Sequence, residues 1–127
     1  MIFPIKVIYV AGLISSNADG SKASAEQRED NIEAGRVAGA AVWKAGAVAL
    51  VPHLNSLGMY EKELISAEQI YLGDLAILQR CDAVLVLPGW EKSQGCNYEV
   101  AWAKHKEIPI FGTLPELEKW LKNGVTF

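Results

Sequence analysis

The chain has few of the features that announce a familiar chemistry. Cysteine occurs only as Cys81 and Cys96, which do not form a Cys-x-x-Cys pair. Neither a disulfide scaffold nor a zinc site is therefore expected, and the thiols are read as reduced and cytoplasmic. His53 and His105 are far apart in sequence and isolated from other ligand types, so no metal is expected, and nothing points to a cofactor. Positive charge is not in excess: 12 Lys and Arg stand against 15 Asp and Glu, for a net charge of −3. That balance lacks the electrostatic footprint of a protein that holds a nucleic acid polymer, and a small ligand is the better expectation. No apolar run is long enough to span a membrane. The apolar start over residues 1–14 is interrupted by Pro4, Lys6 and Gly12 and lacks a small-residue cleavage pattern, which argues against a signal peptide. A phosphate-loop lysine motif, a Gly-x-Gly-x-x-Gly fingerprint and a Gly-x-Ser-x-Gly elbow are all missing.

What is present is a chain of 127 residues, half of them hydrophobic, enough to bury a core as one domain over 1–127 without a linker. Residues 6–12 form a β-branched run ending at glycine, the pattern of a strand buried on both faces. Ser24-Ala-Glu-Gln27 reads as a capping box opening a helix to Ala45, where Gly46 stops it. Gly35 and Gly39 weaken that helix but let another backbone approach closely. A second strand is expected over 47–51, closed by Pro52. A helix is expected over 62–80, with Leu64, Ala67, Tyr71, Leu75 and Leu78 on one face. A third strand over 83–87, a helix over 94–105, a strand over 108–111 and a last helix over 114–122 complete the series. Such alternation implies right-handed crossovers and a doubly wound three-layer α/β fold around a parallel sheet of four to five strands. The long connections at 12–21 and 53–60 both follow strand ends, where open α/β sheets place their ligand crevice.

Glu99 ends the segment Ser93-Gln-Gly95-Cys-Asn-Tyr-Glu99, a polar loop running into a helix. The unpaired N–H groups there would let Ser93 and the backbone around Gly95 hold an anion, and the dipole would keep Glu99 ionised at neutral pH as a nucleophile. The same pattern also fits a glutamate that only complements the dipole. Asp74 projects to the margin of its helix's inward face, suiting either a proton donor to a leaving group or an edge residue paired with Arg80. Tyr9, near the end of the first strand, could orient the Glu99 carboxylate or simply fill the core. His53 sits at a crevice position, whereas His105 is read as capping its helix. Trp90 could stack on a base or pack locally. Asp82 is read as structural.

Taken together, Tyr9-Val-Ala-Gly12, Asn31-Ile-Glu-Ala34, Pro52-His53, Asp74 with the later Cys81-Asp82-Ala-Val84, and Gly89-Trp90 leading to Ser93-x-Gly95-x-x-x-Glu99 resemble the nucleoside 2'-deoxyribosyltransferase superfamily over nearly the whole chain. The resemblance implies a flavodoxin-like fold in which Glu99 attacks C1' of the sugar, Tyr9 positions it and Asp74 serves the base. Transferases of the superfamily carry an acid where this chain has Ser93. The branch that hydrolyses deoxynucleoside 5'-monophosphates has a serine there, in contact with phosphate, and a hydroxyl at a helix start accommodates a dianion that a carboxylate would repel. Gly12, Ser15 and Ser16 in the first loop would add phosphate contacts. A homodimer or larger homo-oligomer is implied by the same resemblance.

The expectation is thus an N-glycosidase acting on a (deoxy)nucleoside 5'-monophosphate. A base-exchanging transferase and a non-catalytic nucleotide sensor or flavodoxin-like interaction module are the alternatives. A phosphorylatable receiver would want acids where this chain has Ala11-Gly12, and the Gly-Gly-x-Gly-Thr signature of phosphoribohydrolases is absent.

Overall fold

The computed structural model describes residues 5–14, 17, 19–59 and 62–123. Four strands, β1 (Val7–Ala11), β2 (Val48–Leu50), β3 (Ala83–Val86) and β4 (Ile110–Phe111), pair in parallel in the order β2-β1-β3-β4. β1 is central, with Tyr9 opposite Leu50 on one side and Val84 on the other. The strands are joined through α1 (Ala25–Lys44), a short α2 (Pro52–Asn55), α3 (Ala67–Leu78), α4 (Gln94–His105) and, after β4, α5 (Leu114–Leu121). This is the expected flavodoxin-like arrangement, with four strands among the described residues.

Strand alternation sorts the core into two layers. Ile8, Val10, Ala83 and Leu85 face Val42 of α1 and Leu117 and Leu121 of α5. Tyr9, Ala11, Val84 and Val86 face Leu78 of α3 and Cys96, Val100 and Ala103 of α4. Because β1 and β3 are covered on both sides, they read as unbroken apolar runs in the sequence. Asp82 clamps the start of the sheet: its Oδ2 accepts from the Val7 amide at 2.8 Å while its own amide donates to the Val7 carbonyl at 2.8 Å.

The α1 capping box forms as expected. Ser24 Oγ accepts from the Gln27 amide at 3.1 Å, and Gln27 Oε1 accepts from the Ser24 amide at 2.8 Å. Gly46 leaves the helix at φ 95°, a conformation that only glycine adopts without strain. The inner stripe of α1 is Ile32, Gly35, Gly39 and Val42. A β-carbon on Gly39 would lie 2.7 Å from Val51 Cγ2, so the two glycines set how closely α1 lies on the end of β2.

Three expected elements differ. The helix expected over 62–80 starts at Ala67, because a second capping box, Ser66 with Gln69, opens it there. Before it, Glu63 turns into the left-handed region at φ 57°, leaving Leu64 outside the helix and 70% exposed. The inward stripe is therefore Ile70, Tyr71, Asp74, Leu75, Ile77 and Leu78, at helical steps of three and four, and Asp74 lies within it rather than at its margin. The connection after β2 coils into α2, with Pro52 at its first position. The last strand shortens to Ile110–Phe111, although the Pro109 carbonyl still accepts from the Val84 amide at 2.9 Å. No helix among the described residues is long and apolar enough to cross a membrane.

Candidate active site

The loops leaving β1, β2 and β3 converge beyond the carboxyl ends of the strands, where parallel sheets leave a crevice. There the structure has a cavity of about 370 Å³, whose wall includes Gly12, His53, Asp74, Ser93, Gly95 and Glu99. Six of the residues singled out in the sequence thus meet in one space. Tyr9 lies directly beneath it, fully buried, with its hydroxyl donating to Glu99 Oε2. Ser15 and Ser16 lie outside the described residues. Trp90 is not on the cavity wall; it packs against the Tyr9 side of the core from the 3-10 turn Trp90–Lys92. His105 ends α4 beside Trp102, also off the wall. A second hollow, on the other face of the sheet, is bordered by Val37 of α1, Leu87 after β3 and Leu114 of α5, and brings together no comparable set of groups.

The acids are tuned by burial. Removal from water raises the Glu99 carboxyl to about 7; the Asp74 charge adds to the rise and the Tyr9 hydroxyl, which stabilises the carboxylate, opposes it. Burial alone raises Asp74 to about 6. The expectation that a helix N-terminus keeps Glu99 fully ionised is therefore corrected. Glu99 lies in the second turn of α4, where the dipole has faded, and desolvation dominates. The two acids together retain a proton near neutral pH. Tyr9 is held far above the ordinary phenol range, first by burial and then by the Glu99 and Asp74 charges, so its hydroxyl is a permanent donor.

The rest of the wall is braced by side chain to backbone bonds. Ser93 is the N-cap of α4, and its Oγ accepts from the Cys96 amide at 3.2 Å. Cys96 Sγ donates to the Gly12 carbonyl at 3.2 Å and ties the end of β1 to the start of α4. Burial pushes that thiol up to about 11, so it serves as a brace rather than a nucleophile. His53 Nε2 donates to the Leu13 carbonyl at 2.8 Å, and burial lowers its pKa, so it is a neutral strut under the first loop. Asn31 Nδ2 donates to the Ile14 carbonyl at 3.1 Å in the same loop. A β-carbon on Gly95 would meet no protein atom nearer than Ser93 Oγ at 3.8 Å, so the glycine keeps that part of the wall open.

Several wall residues had no signal of their own in the sequence. Arg28, from the first turns of α1, is the basic residue among the described cavity-lining residues, which also include Ile70 and Tyr71 of α3 and Leu57 after α2. Arg28 could have been suspected from the Ser24 capping box, which places it close to a helix start facing the crevice. Ile70 falls just outside the expected face, of which Tyr71, Leu75 and Leu78 do lie on the inward stripe. Among the described residues, no group of three or more His, Cys, Asp or Glu is placed to hold a metal ion.

A search of curated proteins returned no match. Residues 6–112, a span that contains every cavity residue named above, match the family described as Domain of unknown function (DUF4406), and the chain belongs to that family.

Proposed function

We propose that the protein is an N-glycosidase that splits the base from the sugar of a (deoxy)nucleoside 5'-monophosphate through a glycosyl ester on Glu99. The observation that carries this reading is the pair of acids on one cavity wall, Glu99, held from below by the buried Tyr9 hydroxyl, and Asp74 on the neighbouring helix. Two carboxyl groups with unequal surroundings can divide nucleophile and acid roles. The likeness of the sequence to the nucleoside 2'-deoxyribosyltransferase superfamily supports the same division.

In the first step a Glu99 oxygen bonds to C1' as the C1'–N bond breaks. The bonding pair leaves with the base, which takes the Asp74 proton. In the second step Asp74 accepts a proton from water as the water oxygen bonds to C1', and the ester pair returns to Glu99. One water is consumed, and free base and sugar 5-phosphate are released. Burial raises both carboxyls, Glu99 to about 7 and Asp74 to about 6, so the pair holds a proton near neutral pH. Substrate has to place that proton on Asp74. Positive charge developing at C1' stabilises the adjacent Glu99 carboxylate, and a base seated on Asp74 strips its remaining water and favours its neutral form. The Ser93 hydroxyl, the start of α4 and Arg28 supply the chemistry that suits a phosphate.

Release of free base from a panel of nucleoside and nucleotide substrates, followed by chromatography, tests the proposal. Base should appear from 5'-monophosphates, and Glu99→Ala should abolish it. Undiminished release by that variant would remove Glu99 from the mechanism.

A further inference from the structure

Trp90, the aromatic residue that the sequence offers as a stacking partner, is half-buried against the Tyr9 layer of the core and does not line the cavity, which leaves the base side to other residues. Two wall residues narrow the choice. Glu99 comes from α4 and Asp74 from α3. In a displacement at C1' the entering carboxylate and the departing base lie on opposite sides of the carbon, so the base sits toward α3. The α3 wall consists of Ala67, Ile70, Tyr71 and Asp74, and Leu57 completes it from the loop before α3. It is apolar apart from the acid and the tyrosine hydroxyl. Tyr71 and Asp74 share a face of α3 at a spacing of three residues, so a base that meets the Asp74 carboxyl lies beside the Tyr71 ring.

Tyr71 is also held in place. Its ring meets that of Tyr98 edge to face, with centroids 5.5 Å apart and planes at 68°. Tyr98 is in turn fixed by Gln94, whose Nε2 donates to the Tyr98 hydroxyl at 2.9 Å. Tyr98 is 47% exposed, which puts the pair at the rim of the site rather than in the core. A core role would account for buried rings; it does not account for a rim tyrosine braced from the neighbouring helix. His53, the other ring on the wall, is committed to the Leu13 carbonyl and packs against Gly35.

We infer that Tyr71, braced by Tyr98 and Gln94, is the platform on which the planar heterocycle of the substrate stacks, and that it sets the preference among bases by ring area. The inference rests on the glycosidase reading and specifies its substrate class further: nucleotides with an aromatic base, with two-ring bases gaining more than one-ring bases.

The test is calorimetric titration in a Glu99→Gln background, where nucleotide is not consumed. The ligands are a purine nucleoside 5'-monophosphate, a pyrimidine one and ribose 5-phosphate. Tyr71→Ala should weaken the purine nucleotide roughly tenfold, the scale of base–aromatic stacking. It should weaken the pyrimidine nucleotide less and leave ribose 5-phosphate within twofold. Tyr71→Phe, which keeps the ring, should rescue the loss. Equal nucleotide affinity in Tyr71→Ala and its parent overturns the inference, as does an equal loss for ribose 5-phosphate, which would mark a merely structural role. If the parent binds no nucleotide and the wild-type protein releases no base, the glycosidase reading itself falls, a result distinct from either.

Discussion

Replacing Glu99 with glutamine keeps the side-chain shape and an acceptor oxygen for Tyr9, and removes only the charge that the cavity disfavours. The carboxyl moves from an ordinary value of 4.5 to about 7 in the folded chain, mainly through burial. A folded-state value above the unfolded one means that the folded protein holds the proton more tightly. The associated stability is fully present below pH 4.5 and is lost as the pH rises through about 7. At ~1.4 kcal/mol per pH unit of displacement, the loss by pH 8 comes to about 3 kcal/mol. Glutamine does not ionise and loses none of it. Scanning calorimetry of wild type and Glu99→Gln from pH 4 to 9 should therefore show melting temperatures that nearly coincide near pH 4.5 and diverge at higher pH. By pH 8 the variant should lead by roughly 5–10 °C, given a few degrees per kcal/mol for a chain of this size. A constant gap across the range, or a variant that loses ground above pH 7, would refute the claim that Glu99 is held in a desolvated site. The same scan asks whether the molecule sacrifices stability to hold this carboxyl where it is, as functional sites commonly do.

Other substitutions probe the surrounding structure. Tyr9→Phe removes the donor that favours the Glu99 carboxylate. The acid limb of kcat/KM should move up by roughly one pH unit or more, with activity at pH 7 falling about tenfold and recovering toward pH 9; a limb that stays in place would show the hydrogen bond to be inert. Gly95→Ala adds a methyl group that meets no protein atom nearer than 3.8 Å. Thermal stability should hold while KM rises about tenfold or more, since a methyl group lost to overpacking is felt at the ~1–3 kcal/mol level, and an unchanged KM would show that substrate does not approach this stretch of α4. Gly39→Ala places its new carbon 2.7 Å from Val51 Cγ2 and should lose about 1–3 kcal/mol in urea unfolding. Gly73→Ala, with nothing within 4 Å, should gain roughly 0.5–1 kcal/mol, and the two results must differ in sign.

Local rules were enough to place most of the elements. A capping box and a terminal glycine bound α1, and β-branched runs ended by Gly12, Pro52 and Pro88 mark three of the strands. Where one local signal was overlooked, the error spread. Missing the Ser66 and Gln69 capping box started α3 too early, drew Leu64 into a helical face, and moved Asp74 from within the inward stripe to its edge. Trp90 shows the other kind of failure, since whether an aromatic after a turn faces ligand or core is decided by the strands it lands against.

The sequence by itself determined the strand and helix order, and hence the parallel doubly wound sheet, because these follow from hydrophobic period, caps and breakers within a few residues of one another. It also singled out Glu99, Asp74 and Tyr9. Only the tertiary structure decided that Tyr9 and Glu99, 90 residues apart, share a hydrogen bond, that Arg28 and Tyr71 line the same wall, and that the carboxyl of Glu99 titrates near neutrality rather than remaining ionised. Proximity and desolvation are properties of the packed chain, and no local pattern records them.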